Sequence, residues 1–288
     1  MKVLVAGATG LIGREVAGLL KVHGHYVRTL SRHPDRAAAL RNFVDDVRVV
    51  DAREPLALDG VCDGVDVIIS ALGAPVSPSS SVRASYLETD LVANAALLKA
   101  ARSAHVRRMV YVSVHSESSY EKTRYLQAHI AVEQALRTSG LEYGIVRPTG
   151  VFGAFAEMLP MARIGLIPLI DAGTARTNPV HELDLAAVVV AAALGSDTAA
   201  EIDVGGPEIL SRRNIAELAF HALGRTPRFF STPPGVMRVA ARAMRVFNPR
   251  LSDFMTFIIL ASTHDCMAPA HGEQQLGPYL RAKALPRD

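Results

Sequence analysis

Tryptophan is absent from the sequence, cysteine occurs only twice, and aromatic residues make up 6% of the 288 residues. Two cysteines cannot build a disulfide framework, and the spacing of Cys62 and Cys266 fits neither a zinc site nor a redox motif. Because the apolar fraction is 49%, we expect a sizeable core, filled by Val, Leu, Ile and Ala rather than by aromatic rings. A reducing cytoplasm is the predicted location.

Long apolar segments and clusters of one charge are missing as well. The longest apolar run, Leu185–Leu194, is far short of the roughly 20 residues that a membrane span needs. The first residues already have the pattern of a strand, so no signal peptide is expected. The net charge is only +3, and the basic residues, mostly Arg, are scattered, which argues against a nucleic-acid surface. No pair of histidines has the spacing of a zinc site, and no Gly-x-Ser-x-Gly segment indicates a serine hydrolase.

A glycine-rich turn near the N-terminus is the most informative pattern that is present. Lys2–Ala6 fits a buried parallel strand, and the helical pattern Leu11–Lys21 follows it closely. Gly7, which permits a sharp turn, and Gly10, which lets backbone N–H groups approach a pyrophosphate, lie between them. Gly13, in the first turn of the helix, lets the helix pack close to the strand. The start of a helix favours negative charge. The turn therefore predicts a dinucleotide site, with a glycine turn that binds no ligand as the alternative.

Strand and helix patterns then alternate as far as Pro148. The predicted strands are His25–Leu30, Val47–Asp51, Val65–Ser70, Arg108–Ser113 and Tyr143–Pro148. The predicted helices are Arg36–Phe43, with Pro34 near its start, Ala84–Ser103 and Thr123–Ser139, and a loop is predicted at Pro75–Ser81. This alternation predicts an α/β fold with a parallel sheet and right-handed crossovers.

The pattern changes after Pro148. Residues 149–180 have no clear period, and Asp184–Leu194 and Ile202–Val204 return to a helix and a short strand. Three helical patterns finish the chain: Arg212–Leu223, Val236–Val246 and Leu251–Ser262. We predict a dinucleotide-binding domain of residues 1–150 and 176–204. Residues 151–175 and 205–288 would form a small, mostly helical cap on the substrate side, because ligands bind beyond the carboxyl ends of such strands.

Four segments together resemble the atypical, or extended, short-chain dehydrogenases/reductases, near the branch of NmrA-like and related NAD(P)H-binding proteins. They are Gly7–Arg14, Val110–Ser113, Gly140–Pro148 and Asn178–Ala186, and the likeness runs from residue 1 to about residue 206. The resemblance implies a Rossmann-type, doubly wound parallel sheet that binds NAD(P), usually for the reduction of a carbonyl or an activated alkene. It also implies cofactor contacts at Gly7, Thr9, Gly10, Leu11, Ile12, Gly13, Asp51, Ala71, Leu72, Gly73, His129 and Pro148, with Asp51 near the adenine amine.

The end of the second strand favours NADPH over NADH. A protein that prefers NADH usually holds the ribose 2′-hydroxyl with a carboxylate there. This sequence has Ser31 and Arg32 instead, and its first acidic residue after the strand is Asp35. Arg binds phosphate with bidentate hydrogen bonds, so Ser31, Arg32 and also Arg14 are candidates for the 2′-phosphate. NADH stays an alternative, because Arg32 fits a solvated loop and backbone donors alone can hold a ribose.

The catalytic pattern that the resemblance implies is incomplete. The family places Tyr-x-x-x-Lys on one face of a helix, where the Lys lowers the pKa of the Tyr. Here the matching positions are Tyr125 and His129. His129 can bind a ribose hydroxyl, but a largely neutral imidazole lowers the Tyr pKa less than Lys does. Tyr120 and Arg124 form a rival pair of the same spacing.

A second histidine stands at the end of the fifth strand. His115 occupies the position where many extended members carry a carbonyl-binding Ser, and Ser113 ends the strand before it. Tyr125 and His115 are therefore the candidate proton donors, with Ser113 and His129 as positioning groups. Ordinary structural roles are the alternative for each of them. For His181 a structural hydrogen bond is favoured over a functional role.

Two functions from different classes follow. The first is an NAD(P)H-dependent reductase of a carbonyl, enone or quinone-like group on a hydrophobic small molecule, with no nucleic-acid partner and no membrane span. The second is a sensor or scaffold protein of the NmrA-like kind, which binds NADP(H) without catalysis. The missing Lys favours the second function, and the apolar segment 151–170 favours the first. The sequence indicates neither the substrate nor the oligomeric state.

Overall fold

The computed structural model describes residues 1–73, 86–116, 123–195 and 200–285, apart from the side chains of Leu87 and Glu88. The predicted loop Pro75–Ser81 and Tyr120 lie outside these residues. The strands are β1 (Lys2–Ala6), β2 (Tyr26–Ser31), β3 (Asp46–Val49), β4 (Val67–Ser70), β5 (Arg108–Val112), β6 (Glu142–Pro148), β7 (Ile167–Ile170), β8 (Arg176–Thr177), β9 (Glu201–Val204), β10 (Leu210–Ser211) and β11 (Phe229–Thr232).

The helices lie between and after these strands. They are α1 (Leu11–Val22), α2 (Pro34–Leu40), α3 (Val92–Ser103), α4 (Arg124–Arg137), α5 (Phe152–Ala156), α6 (Met158–Ile164), α7 (Glu182–Leu194), α8 (Arg212–Ala222), α9 (Pro234–Phe247), α10 (Pro249–Thr263) and α11 (Leu276–Ala284). A 3₁₀ turn at Pro55–Leu58 and a π-helical turn at Leu87–Leu91 complete them. In the described part of the chain, no helix is both long and apolar enough to cross a membrane.

Seven strands form one parallel sheet in the order β3-β2-β1-β4-β5-β6-β9. The chain runs outward from β1 in one direction and then returns to β4 on the other side of β1. Between β1 and β4 the order reverses, and in doubly wound sheets this is where ligands bind. The structure confirms the predicted Rossmann-type, doubly wound α/β sheet.

Apolar side chains cover both faces of the sheet. On one face, Val3, Val5 and Val110 pack against α1 and α7, which contributes Leu185 and Val189. On the other face, the core contains residues of α3, α4 and the 3₁₀ turn, among them Leu97, Val132 and Leu58. The inner strands β1, β2, β4, β5 and β6 are largely buried, as a sheet covered on both faces requires. The edge strands β3 and β9 are only partly buried.

The segment after Pro148 contains more regular structure than its irregular sequence pattern indicates. The helices α5 and α6 are only five and seven residues long, and one or two turns are too few to set up a period. β7 pairs with β11, and a third core contains Phe152, Phe220 and Leu280. The helix α11 was not predicted. Of the predicted helix Ala84–Ser103, residues 84 and 85 lie outside the described residues, Leu87–Leu91 form the π-helical turn, and Val92–Ser103 form α3. The division into the two predicted domains stays a prediction.

Candidate functional site

The turn between β1 and α1 is shaped so that two of its positions require glycine. Gly7 has a φ of +96°, and a Cβ there would lie 2.5 Å from the carbonyl oxygen of Ala71, just beyond β4. A Cβ on Gly13 would lie 2.3 Å from the carbonyl oxygen of Gly7. The first clash would push the turn away from the end of β4, and the second would push α1 away from the turn.

Gly10 leaves space for a ligand instead. A Cβ on Gly10 would have only the Gly7 carbonyl oxygen, at 3.3 Å, within 4 Å among the described residues. The backbone N–H groups of Leu11, Ile12 and Gly13 have no acceptor in that part of the chain, and the first turn of α1 has no acidic side chain. Open donors at the start of a helix fit the pyrophosphate of a dinucleotide. Thr9 is exposed beside them.

The two candidates for a 2′-phosphate at the end of β2 differ in their surroundings. The buried Ser31 hydroxyl donates to the carbonyl oxygen of His33 at 2.9 Å. Arg32 is exposed and forms no hydrogen bond or ion pair with another described residue. The guanidinium of Arg14 lies over the ring of Phe43, 5.5 Å from its centroid. Arg32 is therefore the candidate with a free guanidinium.

Asp51, predicted near the adenine amine, is held in place by Arg53. The Arg53 guanidinium donates to both carboxylate oxygens at 2.6 to 3.1 Å, and its backbone N–H donates at 3.0 Å. The Arg53 side-chain hydrogen bonds hold the pKa of Asp51 below its ordinary value. Asp51 is thus an ionised acceptor in a fixed position, which suits an exocyclic amine.

The segment Ala71–Gly73 is fixed from behind by a residue that the sequence did not single out. Buried Asn94 donates through Nδ2 to the carbonyl oxygen of Leu72 at 3.3 Å, and its Oδ1 accepts from Ser70 at 2.6 Å. The Ala71 N–H donates to the carbonyl oxygen of Ala6 at 2.9 Å. The backbone past which a nicotinamide ribose is predicted to lie therefore has a defined course.

Ser113 is committed to a buried carboxylate. Its hydroxyl donates to Glu133 Oε1 at 2.6 Å. Arg147 donates to both oxygens of the same carboxylate at 2.9 and 2.6 Å, and Arg137 donates at 2.9 Å. Burial opposes ionisation of Glu133, but the hydrogen bonds from Arg147 and Ser113 outweigh it and lower its pKa. A ligand that used the Ser113 hydroxyl would have to compete with this network.

His129 is buried with one ring nitrogen bonded and the other without a partner. Its Nδ1 lies 2.7 Å from the hydroxyl of Tyr111, and its Nε2 has no hydrogen-bond partner in the described chain. Burial lowers the pKa of His129 to about 4, against the opposing charge of Glu133. The imidazole is therefore neutral near pH 7. Because the Tyr111 hydroxyl must find an acceptor, we assign the His129 proton to Nε2.

Tyr125 lies among three aromatic rings on the same side of α4 as His129. Ring centroids are 4.7 Å away for His129, 5.1 Å for Tyr86 and 4.9 Å for Phe257 of α10. Burial, followed by the charge of Asp90, raises the pKa of Tyr125 above its ordinary value. The phenol is protonated throughout the physiological range. A neutral His129 cannot lower that pKa in the way the family Lys does.

His115 faces the last strand of the sheet. Its Nδ1 is 3.1 Å from Asp203 Oδ1, at ion-pair distance but without hydrogen-bond alignment, and its Nε2 is buried with no partner among the described residues. The backbone N–H of His115 donates to the carbonyl oxygen of Pro148 at 2.8 Å, which ties the end of β5 to the end of β6. Pro148 itself is buried.

A polar cavity brings the two candidate histidines together. Its volume is about 250 Å³, and it lies between α4 and the ends of β5, β6 and β9. The lining residues are Val114, His115, Ser116, Leu126, His129, Ile130, Glu133, Arg147 and Asp203. Tyr125 and Ser113 do not line it. The four predicted catalytic residues are thus neighbours around α4 and β5, but only two of them share a cavity.

A larger groove elsewhere carries none of the predicted chemistry. It has a volume of about 530 Å³ and lies between the C-terminal halves of α3 and α4, lined by Ala95, Leu98, Lys99, Arg102, Ser103, Ala135, Thr138 and Ser139.

His181 caps α7, accepting from the Leu183 N–H at 3.0 Å. The described residues include no group of three or more His, Cys, Asp or Glu side chains that could hold a metal ion.

Several residues that shape this region were missed or undervalued in the sequence. Tyr111 and Asp203 carry no motif of their own, and their partners come from other elements. Arg147 lies in a segment that the resemblance used, Gly140–Pro148, whereas Glu133 lies in none of them. The available sequence signal for their ion pair was an acidic residue in the predicted helix Thr123–Ser139 and a basic residue in the predicted strand Tyr143–Pro148.

Comparison with known proteins agrees with the glycine turn. A family model described as NAD(P)H-binding matches residues 7–196. The chain is 30% identical to (4-alkanoyl-5-oxo-2,5-dihydrofuran-3-yl)methyl phosphate reductase of Streptomyces griseus, over 84% of this chain and 80% of that protein. It is 26% identical to mitochondrial subunit 9 of the NADH dehydrogenase [ubiquinone] 1 alpha subcomplex of Arabidopsis thaliana, over 82% of this chain.

The chain spans 61% of the length of that Arabidopsis relative and a similar share of several others.

Among solved structures, an NADPH-dependent quinone oxidoreductase of Escherichia coli in complex with NADPH is similar in fold, with a TM-score of 0.73 and 18% identity. The similarity covers 98% of this chain and 99% of the oxidoreductase. At that level of identity the likeness concerns the fold alone.

Proposed function

Because the chain belongs to the NAD(P)H-binding family, we propose that it is an NADPH-dependent reductase of a carbonyl, enone or quinone-like group on a hydrophobic small molecule. The family includes NAD(P)H-dependent reductases. The observation that carries the proposal is the position of Tyr125 and His129. Both lie on α4, beside the end of β5. In the sheet β5 pairs with β4, and β4 pairs with β1, the strand that the glycine turn follows.

The residues that would hold NADPH follow from the unpaired donors and acceptors near the carboxyl ends of β1, β2 and β3. The N–H groups of Leu11, Ile12 and Gly13 would bind the pyrophosphate, and the free guanidinium of Arg32 would bind the 2′-phosphate. Asp51 would accept from the adenine amine. When bound, NADPH supplies the hydride for the reduction.

The protonation state of Tyr125 is compatible with a role as proton donor. A reduction needs a group that donates a hydrogen bond or a proton to the developing oxyanion, whereas an oxidation needs a base. Tyr125 keeps its proton because its pKa is raised by burial, and His129 is neutral because burial lowers its pKa to about 4. We assign Tyr125 or His115 as the donor, and His129 as the group that binds the ribose through Nε2.

Turnover with Tyr125→Phe and His115→Ala tests the assignment. If Tyr125 is the acid, we expect kcat to fall by about 10²- to 10⁴-fold, while NADPH affinity changes little. If His115 is the acid, the His115→Ala variant shows that loss instead. Tyr26→Phe is the control, because Tyr26 is partly exposed at the opposite end of the sheet. Full turnover in both active-site variants would contradict the assignment.

A second function, NADP(H) binding without catalysis, is supported by a specific contact. The ring of Phe257 lies 4.9 Å from that of Tyr125, so α10 packs against one side of the Tyr125 ring. Ser113 and the Nδ1 of His129 are also occupied by protein partners. Tight NADPH binding with no turnover of a panel of ketones, enones and quinones would favour this function. The cytoplasmic location and the hydrophobic character of the substrate remain predictions.

A further inference from the structure

The helix α9 exposes a stripe of apolar side chains. Val236, Val239, Val246 and Phe247 are 58%, 71%, 83% and 85% exposed. At about 100° per residue, these four positions lie within one side of the helix. Single exposed apolar residues are common on protein surfaces, but a continuous stripe indicates contact with something else.

The packing of α9 does not depend on this stripe. A different side of the helix faces the protein, where Met237 and buried Ala241 pack with Ile170 and Ile259. The helix is therefore held by α10 and β7 while its apolar stripe points away from them. Removing the exposed side chains would cost little core packing.

Three arginines form a second stripe that adjoins the apolar one. Arg238, Arg242 and Arg245 are exposed and follow each other at helical spacing. None forms a hydrogen bond or an ion pair with another described residue, although Arg245 is near enough to Asp253 to act on its pKa. The sequence of α9 contains no Asp or Glu. The exposed side of α9 therefore combines apolar side chains with three positive charges, and α9 has no acidic residue that could pair with them.

We propose that α9 docks the protein on the surface of an anionic lipid bilayer. Helices that lie in a membrane interface combine an apolar stripe with basic residues, the apolar side chains entering the acyl boundary and the cations contacting headgroups. The charge pattern favours this partner over a second copy of the chain. A symmetric pair of α9 helices would bring arginines together with no acidic residue of α9 to pair with them.

Vesicle binding by the full-length protein tests the proposal. The probes are vesicles of phosphatidylcholine alone and vesicles of phosphatidylcholine and phosphatidylglycerol in equal parts. We expect binding to the anionic vesicles only, weakening strongly as NaCl rises from about 0.1 M to about 1 M, since the Debye length falls from about 10 to about 3 Å.

Two sets of variants separate charge from apolar insertion. Each arginine near an anionic surface contributes about fivefold in affinity, so the triple variant Arg238→Ser, Arg242→Ser and Arg245→Ser should bind about 100-fold more weakly. The matched control removes the same charge elsewhere, with Arg36→Ser, Arg41→Ser and Arg102→Ser, and should lose far less. Val239→Ser with Phe247→Ser should weaken binding while leaving the melting temperature nearly unchanged.

The lack of tryptophan in the chain gives a direct measure of insertion. Phe247→Trp places a single indole on the stripe, and Tyr26→Trp places one on a surface far from it. We expect a blue shift and quenching by brominated lipid for the first variant and neither change for the second. No binding to anionic vesicles would overturn the proposal, as would binding that the triple α9 variant leaves unchanged. A dimer that Val239→Ser and Phe247→Ser dissociate, without vesicle binding, would assign the stripe to a second copy and equally overturn it.

Discussion

Replacing Glu133 by Gln should be one of the most destabilising single changes that preserve side-chain shape. The Glu133 carboxylate accepts four hydrogen bonds, of 2.6 to 2.9 Å, from Ser113, Arg147 and Arg137, and its side chain is only 7% exposed. Charge-assisted hydrogen bonds contribute about 1.5 to 3 kcal/mol each, and breaking a buried pair costs about 3 to 5 kcal/mol. Arg147 keeps a second partner in Glu201. We therefore expect E133Q to lower the free energy of unfolding by about 3 kcal/mol.

The control and the pH dependence make this prediction specific. Glu142→Gln removes a carboxylate that also pairs with arginines but is 51% exposed, so it should cost less than about 1 kcal/mol in urea unfolding. Because the pKa of Glu133 is lowered in the folded protein from an ordinary value of 4.5, its charge stabilises the fold fully above that pH. The stabilisation is lost as pH falls through the folded pKa. The gap between wild type and E133Q should therefore be constant near neutrality and close in acid. Equal losses for E133Q and E142Q would refute the reasoning.

Three further predictions concern the cofactor edge. Gly10→Val should weaken NADPH binding at least about tenfold, because the valine side chain fills the space over the unpaired N–H groups of the first turn of α1. The control is Gly18→Ala, whose Cβ would meet nothing within 4 Å. Isothermal titration calorimetry measures both affinities. Arg32→Glu should weaken NADPH binding by about 1 to 3 kcal/mol and leave NADH binding nearly unchanged. The control, Arg36→Glu at another exposed arginine, should weaken NADPH binding far less. Equal affinities of the wild type for the two cofactors would contradict this prediction. His181→Ala should lower the unfolding free energy by about 1 kcal/mol by removing the cap of α7; His181→Asn should restore it, and an effect on NADPH affinity would show that the role is not only structural.

The sheet was predictable because its inner strands are buried on both sides and its turns carry glycine. Lys2–Ala6 has the predicted bounds, and the remaining strands of the large sheet differ from prediction by one or two residues at an end. The segment 149–180 was less predictable for a physical reason. Strand β7 pairs with β11, which lies about sixty residues later in the chain, so neither strand has a local partner that its own sequence could reveal.

The candidate site could be predicted only as far as the backbone determines it. The carboxyl ends of β1, β4 and β5 follow from the order of the strands, and so the residues after them could be grouped. The direction of each side chain could not be predicted. The Ser113 hydroxyl points to Glu133 and the His129 Nδ1 to Tyr111, because those partners lie across a helix–sheet interface. The Phe257 ring reaches Tyr125 from α10, which no local pattern indicates.

The replacement of the family Lys by His129 changes how much Tyr125 can contribute. A Lys lowers the pKa of the phenol and so makes it a better acid, whereas His129 is neutral and buried. With its pKa raised by burial, Tyr125 would stabilise an oxyanion mainly by a hydrogen bond, and its loss should lie toward the lower end of the range for general acids. His115 lines the same cavity as His129, with its Nδ1 3.1 Å from Asp203 and its Nε2 without a partner among the described residues. If the substrate reaches that cavity, His115 is the donor that faces it, because Tyr125 does not line the cavity, and the larger loss should fall on His115→Ala.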